Sequence, residues 1–146
     1  MAVQTVNRIV VGLCASSGSR CALKWAAQRA LESEAELLVV TALADPRPMG
    51  SAGGMQIPFF STTELESVAS EWQHGVIAEV LGGGELSSSV TAVVEIGGVS
   101  WVLLRRAAHA DLLVLGASRR RLGSTVRRCV RKSRCPVVVI ESDRPA

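Results

Sequence analysis

The chain has 146 residues, which lets one ordinary domain bury roughly two thirds of its unfolded surface without disulfide or metal staples. Hydrophobic residues make up 48% of it and charged residues 20%, which excludes a chain disordered throughout. We therefore expect a single domain over residues 1–146. No apolar run approaches the roughly 20 residues that span a bilayer. Because residues 1–10 also do not resemble a secretory signal, we expect a cytoplasmic protein with no membrane partner.

The cysteines and basic residues exclude some classes of site and leave others open. The four cysteines, Cys14, Cys21, Cys129 and Cys135, form no Cys-X-X-Cys pair and have no histidine at zinc-ligand spacing, so we expect neither a disulfide framework nor a metal site. The net charge of +3 implies no polyanionic partner by itself. Its distribution is uneven, because eight basic residues fall within 119–134 and no acid lies between Asp111 and Glu141.

The first half of the chain reads as strand, helix and strand. Residues 8–13 are a continuous apolar run, which is typical of a strand covered on both faces. Ser19 fits the N-cap of a helix with apolar residues at helical spacing. Residues 36–43 form a second buried strand, and a helix between two such strands is typical of a parallel pair. Residues 44–61, rich in proline and glycine, are expected to form a flexible loop.

The second half continues the alternation. A helix is predicted from Thr62 or Thr63, with Glu66 completing a capping box, and it ends at glycines 82–84. Further strands are predicted at 90–96, 111–115 and 137–140, with helices over 99–108 and after Gly123. Val130 and the tryptophans Trp25, Trp72 and Trp101 are expected to face the core. Five strands and four helices without a repeat predict an α/β fold with helices on both faces of an open parallel sheet.

Ligands of such sheets collect at the carboxyl ends of the strands, where the winding reverses. Three segments follow those ends: residues 12–16, 41–44 and 116–125. The last is the most suggestive, because Gly123, Ser124 and Thr125 open a helix whose free N–H groups and positive dipole end suit a phosphate.

Three stretches resemble the universal stress protein family. Residues 11–16, Ser19 and residues 22–26 resemble its first strand and helix, residues 110–118 its fourth strand and turn, and Gly123-Ser124 with residues 135–140 its last helix and strand. The resemblance covers nearly the whole chain except 44–61. It implies a Rossmann-like, adenine nucleotide alpha hydrolase-like sheet of order 3-2-1-4-5, a role in stress survival, and homodimers that pair through the last strand, here Val137 to Ile140.

The sequence departs from the ATP-binding members of that family. Those members resemble one another in an aspartate that ends the first strand, and in a motif of Gly, two residues, Gly, nine residues, then Gly-Ser or Gly-Thr. Cys14 stands at the aspartate position and Arg119 at the second glycine. Gly123 lies seven residues after Gly116 instead of thirteen, so the phosphate turn is about six residues short. We therefore predict weak or absent ATP binding.

The leading hypothesis is a stress-response binding and signalling module that is homodimeric, requires no cofactor and is not an enzyme. The candidate ligand residues are Gly12, Leu13, Cys14, Ala42, Gly116, Ser118, Arg119, Gly123, Ser124 and Thr125. One alternative is a universal stress protein that binds ATP or another adenine nucleotide through Gly116 and Gly123-Ser124. An enzyme that uses Cys14 or Ser124 in the same cleft is less favoured, because no general base is evident.

Several residues also have simpler interpretations. Ser124 is more often an N-cap than a ligand contact, and Cys14 is more often a small buried residue than a reactive thiol. The arginine cluster at 119–134 is a solvated helix face, an anion site or a nucleic-acid patch. The last is least favoured because aromatic residues and a binding motif are missing. A predicted stripe of Arg127, Arg131 and Arg134 requires a counterion, a ligand or a partner's acids.

Overall fold

The computed structural model describes residues 6–44, 61–84, 89–118 and 122–142. Its strands are β1 (Arg8–Gly12), β2 (Glu36–Leu43), β3 (Val90–Ile96), β4 (Leu112–Ser118) and β5 (Val137–Ser142). Its helices are α1 (Ser17–Ser33), α2 (Thr62–Leu81), α3 (Val99–Ala107) and α4 (Ser124–Lys132). Almost all of the loop expected at 44–61 lies outside the described residues, and so do Arg119 to Arg121.

All five strands join one parallel sheet in the order β3-β2-β1-β4-β5, which confirms the predicted fold. The central strand β1 pairs with β2 on one side and with β4 on the other. Ile9, Val10 and Val11 are completely buried there. A strand buried on both faces has no solvent side, and this explains why its sequence is a continuous apolar run.

Helices cover both faces of the sheet and create one apolar core on each. Ile9 and Val11 belong to the core beneath α1 and α2. Val10, between them, belongs to the opposite core beneath α3 and α4, with Leu103 and Val126. Successive residues of a strand point to opposite faces. The sheet thus separates an α1/α2 layer from an α3/α4 layer, and the latter borders the site described below.

Helix α1 lies unusually close to β4 because two glycines face each other. A Cβ atom on Gly116 would lie 2.2 Å from the carbonyl carbon of Gly18. A Cβ atom on Gly18 would lie 2.8 Å from the carbonyl oxygen of Ala117. Packing between the first turn of α1 and β4 therefore requires glycine at both positions.

A buried glutamine ties α2 to the sheet, a contact that hydrophobic periodicity does not predict. The side-chain nitrogen of Gln73 donates to the carbonyl oxygens of Val39 at 3.3 Å and Val93 at 2.9 Å, and to the hydroxyl of Thr41 at 3.1 Å. That hydroxyl in turn donates to the carbonyl oxygen of Leu13 at 3.0 Å. The network connects α2 with β2, β3 and the chain that follows β1.

The N-caps of two helices differ from the predictions, although α2 begins at Thr62 as predicted. The N-cap of α1 is Ser16, whose hydroxyl accepts from the backbone N–H of Ser19. Ser19 is instead buried within the first turn. The N-cap of α2 is Ser61, so the predicted capping box of Thr63 and Glu66 is wrong. The end of α2 at Gly82 agrees with the prediction.

Some predicted core positions on the shorter helices face solvent. Trp101 on α3 is 60% exposed and Val130 on α4 is 54% exposed, so both inward assignments are wrong. The core takes their helix neighbours Val102 and Cys129 instead, and the next residue along a helix turns about 100° away from the face of its neighbour. The remaining tryptophans, Trp25 and Trp72, pack against the α1/α2 core as predicted.

Candidate functional site

The strand order places the carboxyl ends of β2, β1 and β4 side by side. A cleft of about 280 Å³ lies there, between the strand ends and the first turns of α3 and α4. It is lined by Gly12, Leu13, Cys14, Ser19, Val40, Ala42, Val99, Leu103, Leu115, Gly116, Thr125 and Val126. The turns after the first and fourth strands therefore share one crevice, as the sequence predicted.

Six of the ten predicted ligand residues line this cleft. They are Gly12, Leu13, Cys14, Ala42, Gly116 and Thr125. Ser118 instead ends β4, where it pairs with Ser142 of β5. Gly123 and Ser124 begin α4, and Arg119 lies outside the described residues. The sequence identified the glycines and polar residues of the turns but missed the apolar walls that α3 and the strands contribute.

The described walls of the cleft carry no charged side chain. None of its twelve described lining residues carries an ionisable acid or base other than the Cys14 thiol. Its hydroxyls belong to Ser19 and Thr125. The Ser19 hydroxyl accepts from the backbone N–H of Cys14 at 2.7 Å and donates to the carbonyl oxygen of Gly12 at 3.3 Å, so the fold already uses it. These walls suit a flat, largely apolar group with few polar contacts.

Cys14 is exposed, so the simpler interpretation of a buried cysteine is wrong. Strand β1 ends at Gly12, and Cys14 then lines the cleft while its backbone N–H donates to the Ser19 hydroxyl. Its sulfur lies 3.2 Å from the Ser16 hydroxyl oxygen. By contrast, Cys129 lies in the core beneath α4, where burial raises the pKa of its thiol and keeps it protonated.

A second concavity, here called the basic depression, adjoins the cleft. Its volume is about 360 Å³, and it is lined by Ser100, Ser124, Thr125, Arg127, Arg128 and Arg131. Thr125 lines both the depression and the cleft, so the two are neighbours. Ser100 belongs to the first turn of α3 and was not predicted, because no sequence motif marks it.

The arginines of the basic depression are exposed, and none pairs with an acid among the described residues. Arg127 and Arg131 are one helical turn apart on α4, as predicted. Arg134 does not extend this stripe, because α4 ends at Lys132. Within the described part of the chain, the positive charge of this face is not neutralised.

Both helices at the basic depression begin without a side-chain cap. Gly123 is the N-cap of α4, so the interpretation of Ser124 as an N-cap is wrong. Gly98 is the N-cap of α3. Since a glycine cap has no side-chain oxygen, it leaves the N–H groups of these first turns to other acceptors.

Neighbouring charges hold α3 against β3. Glu95 of β3 accepts from the guanidinium groups of Arg105 and Arg106 on α3, the latter at 2.7 Å. These hydrogen bonds, above all the one from Arg105, keep the pKa of Glu95 below its usual range despite partial burial. The Arg105 guanidinium also lies 5.1 Å from the ring centre of Trp101.

Two kinds of feature are absent from the described residues. No three or more histidine, cysteine or acidic side chains there come together as a metal-binding group would. No helix there combines the length and the apolar character that crossing a membrane requires.

The sequence model of the universal stress protein family matches residues 5–141. The chain belongs to this family. No curated protein sequence gives a significant match. This universal stress protein also shares its fold with solved structures of low sequence identity. One is a universal stress protein in complex with cAMP, with 20% identity, a TM-score of 0.63, and coverage of 94% of this chain and 98% of that one.

Two further solved structures have the same fold. The universal stress protein from Archaeoglobus fulgidus in complex with dAMP is 18% identical, with a TM-score of 0.66 and coverage of 94% of this chain and 99% of that one. A family protein from Arabidopsis thaliana with AMP bound is 17% identical, with a TM-score of 0.63 and coverage of 94% and 92% respectively. At these identities, the similarity establishes the fold alone.

In this universal stress protein, the first glycine of the family's nucleotide motif has a structural reason to be glycine. Gly116 lies within β4, paired with Ile140 of β5, and directly beneath the backbone of Gly18. Packing alone therefore accounts for the glycine, and its presence is not evidence for phosphate binding.

Proposed function

We propose that this protein is a non-catalytic, cytoplasmic binding module of the stress response whose cleft holds an adenine nucleotide with low affinity. The observation that carries the proposal is the uncharged cleft at the carboxyl ends of β1 and β4, in a chain that belongs to the universal stress protein family. Solved proteins of the same fold hold cAMP, dAMP and AMP, which supports adenine as the ring.

Low affinity for ATP follows from what the cleft offers. A thiol at Cys14 is a weaker acceptor for a ribose hydroxyl than a carboxylate. The turn between Gly116 and Gly123 is too short to surround a triphosphate with backbone N–H groups. The apolar walls at Val40, Leu103 and Leu115 still favour burial of the base.

A binding role also fits the chemistry better than catalysis. General acid-base catalysis needs a titratable group within hydrogen-bond reach of the reacting atoms. The described walls of the cleft provide hydroxyls, a thiol and apolar groups, but no carboxylate, histidine or lysine. Neither ATP hydrolysis nor phosphoryl transfer is therefore expected.

Equilibrium dialysis with labelled ATP and AMP tests this proposal. We expect weak retention of both nucleotides and little effect of magnesium on ATP. The substitution Ala42→Leu adds bulk to the cleft wall and should lower retention of AMP further. Ala78→Leu is the matched control, because Ala78 is exposed on α2, across the sheet from the cleft. Tight, magnesium-dependent retention of ATP, or AMP retention unchanged by Ala42→Leu, would contradict the proposal.

We also propose a homodimer that pairs through β5. This strand lies at the end of the sheet order, and its segment from Val137 to Ile140 is apolar and only partly buried. An apolar edge strand with unpaired backbone groups favours pairing with a second copy. Light scattering at micromolar concentration should give twice the monomer mass, and monomer alone would contradict the dimer.

A further inference from the structure

The basic depression concentrates positive charge that the described residues do not neutralise. Arg127 and Arg131 lie one turn apart on α4, with Arg128 beside them, and like charges at this spacing repel. An arginine on a fully convex helix face can turn away into water. These three instead line a concavity, where one anion can contact more than one of them.

The other groups of the basic depression are hydrogen-bond donors. Three hydroxyl-bearing residues, Ser100, Ser124 and Thr125, line it, and all three belong to first turns of helices. The N-caps of both helices lack a side-chain acceptor, which adds backbone donors at the positive ends of two helix dipoles. Planar guanidinium forks, hydroxyls and backbone N–H groups together match the oxygens of a phosphate better than a single-point anion such as chloride.

We propose that the basic depression binds a phosphate group. Because Thr125 lines both the depression and the cleft, a planar ring in the cleft places a phosphate attached to it near the arginines. The ligand class is then a phosphomonoester of a flat ring, such as a nucleoside monophosphate. Only the part of this proposal that concerns the ring in the cleft rests on the function proposed above. The arginine face of α4 takes the place of the shortened glycine turn.

A small phosphate ligand fits the basic depression better than a nucleic acid does. The basic depression has a volume of about 360 Å³ and lies between the first turn of α3 and helix α4. Backbone binding of DNA uses many separate phosphate contacts along an extended surface. The exposed ring of Trp101, next to Ser100, already has the Arg105 guanidinium over its face.

Amide chemical shifts of the ¹⁵N-labelled protein test the proposal, with ionic strength held constant by chloride. The three probes are inorganic phosphate, AMP and adenosine. Phosphate and AMP should shift the amides of Ser100, Ser124 and Thr125 and reach saturation, with AMP binding more tightly. Adenosine should shift only cleft residues such as Leu13 and Ala42. If AMP binds no more tightly than phosphate, the depression is still a phosphate site, and its ligand is free phosphate and not a phosphomonoester.

The double variant Arg128→Gln with Arg131→Gln should weaken the binding of phosphate and AMP about tenfold or more, because charge-assisted hydrogen bonds are lost. Its affinity for adenosine should not change. The matched control is Lys24→Gln with Arg29→Gln, which removes the same charge from exposed positions on α1. This control keeps the affinity of the natural protein if the depression, and not net charge, holds the anion.

The outcomes separate this proposal from the one on which it partly rests. If phosphate binding depends on the arginines but adenosine does not bind, the phosphate site stands and the function proposed for the cleft fails. If adenosine and AMP bind equally and the arginine variant changes neither, the cleft stands and the phosphate site is refuted. A duplex DNA fragment that displaces phosphate with a steep salt dependence would identify a nucleic-acid surface and also refute it.

Discussion

The first turns of α1 and α4 both lie beside the cleft, but they differ in how far capping and packing occupy them. We call the first turn of α1 the closed turn and the first turn of α4 the open turn. In α1, the Ser16 hydroxyl caps the helix and accepts from Ser19, while Gly18 lies directly against β4. In α4, the cap is Gly123, which has no side-chain acceptor, and no atom of the described residues lies within 4 Å of its Cβ position. The difference teaches that an N-terminus is available to an anion only where packing leaves its N–H groups unused.

The same difference separates two glycines that the family motif treats alike. Gly116 supports the closed turn, because α1 can approach β4 only where a side chain is missing. Gly123 stands at the open turn, where space remains for a side chain. We therefore expect substitutions at Gly116 to act on folding, and substitutions at Gly123 to act mainly on ligand binding.

The largest effect on the free energy of unfolding is expected from Gly116→Ala. The new methyl group would lie 2.2 Å from the backbone of Gly18, so α1 must move away from β4. Overpacking against backbone should lower the free energy of unfolding by about 3 kcal/mol. Urea denaturation followed by circular dichroism measures this change.

The matched control is Gly123→Ala, the same substitution at the open turn. Its methyl group meets no atom of the described part of the chain within 4 Å, and the backbone φ of −70° accepts alanine. We expect a loss below about 1 kcal/mol, from the poorer cap. Equal losses at the two positions would show that the closed and open turns do not differ as described.

A smaller effect on stability is expected from the ion pairs that hold α3 against β3. Glu95 on β3 pairs with Arg105 and Arg106 on α3, the helix that places Ser100 at the basic depression. The side chain of Glu95 is 17% exposed, but its arginine partners are 47% and 31% exposed, so water screens these ion pairs in part. Glu95→Gln should lower the free energy of unfolding at pH 7 by about 1 kcal/mol. Glu36→Gln is the control, since its pair with Arg8 is largely exposed.

The effect of Glu95→Gln should depend on pH. The arginines lower the pKa of Glu95 in the folded protein, so its contribution is complete above the unfolded pKa and is lost as pH falls through the folded pKa. The natural protein and the variant should therefore converge in stability as the solution is acidified below the pKa of the folded carboxyl. A stability difference that stays constant from pH 7 into that acidic range would contradict the assigned ion pair.

The fold could be predicted from sequence because its signals are local and repeated. Strand β2 was predicted at 36–43 and has these bounds, since a run of apolar and β-branched residues has few other structures open to it. The parallel order follows from the helices between the strands together with the family resemblance. From that order, the cleft between Cys14, Ala42 and Gly116 follows directly.

The details of the site depended on contacts between elements distant in sequence. Ser16 and Ser19 are both suitable caps by sequence, and the structure buries Ser19 beside β1, where its hydroxyl bonds the Gly12 carbonyl. Ser100 has no motif, and only the packing of α3 against α4 brings it to the arginines. Trp101 was assigned to the core by hydrophobicity, although α3 buries its neighbour Val102. Periodicity alone cannot decide such choices.

The smallest effect on stability, and the sharpest test of the open turn, is that of Gly123→Ser. A serine hydroxyl at the N-cap accepts from an N–H of the first turn, as Ser16 does in α1. This should raise the free energy of unfolding by a few tenths of a kcal/mol, and it should weaken phosphate binding because a donor is withdrawn. Gly83→Ser, at an exposed position after α2, is the control for both measurements. If phosphate binds the capped variant as tightly as the natural protein, the free N–H groups of α4 do not contribute to the site, and the arginine side chains must hold the anion without them.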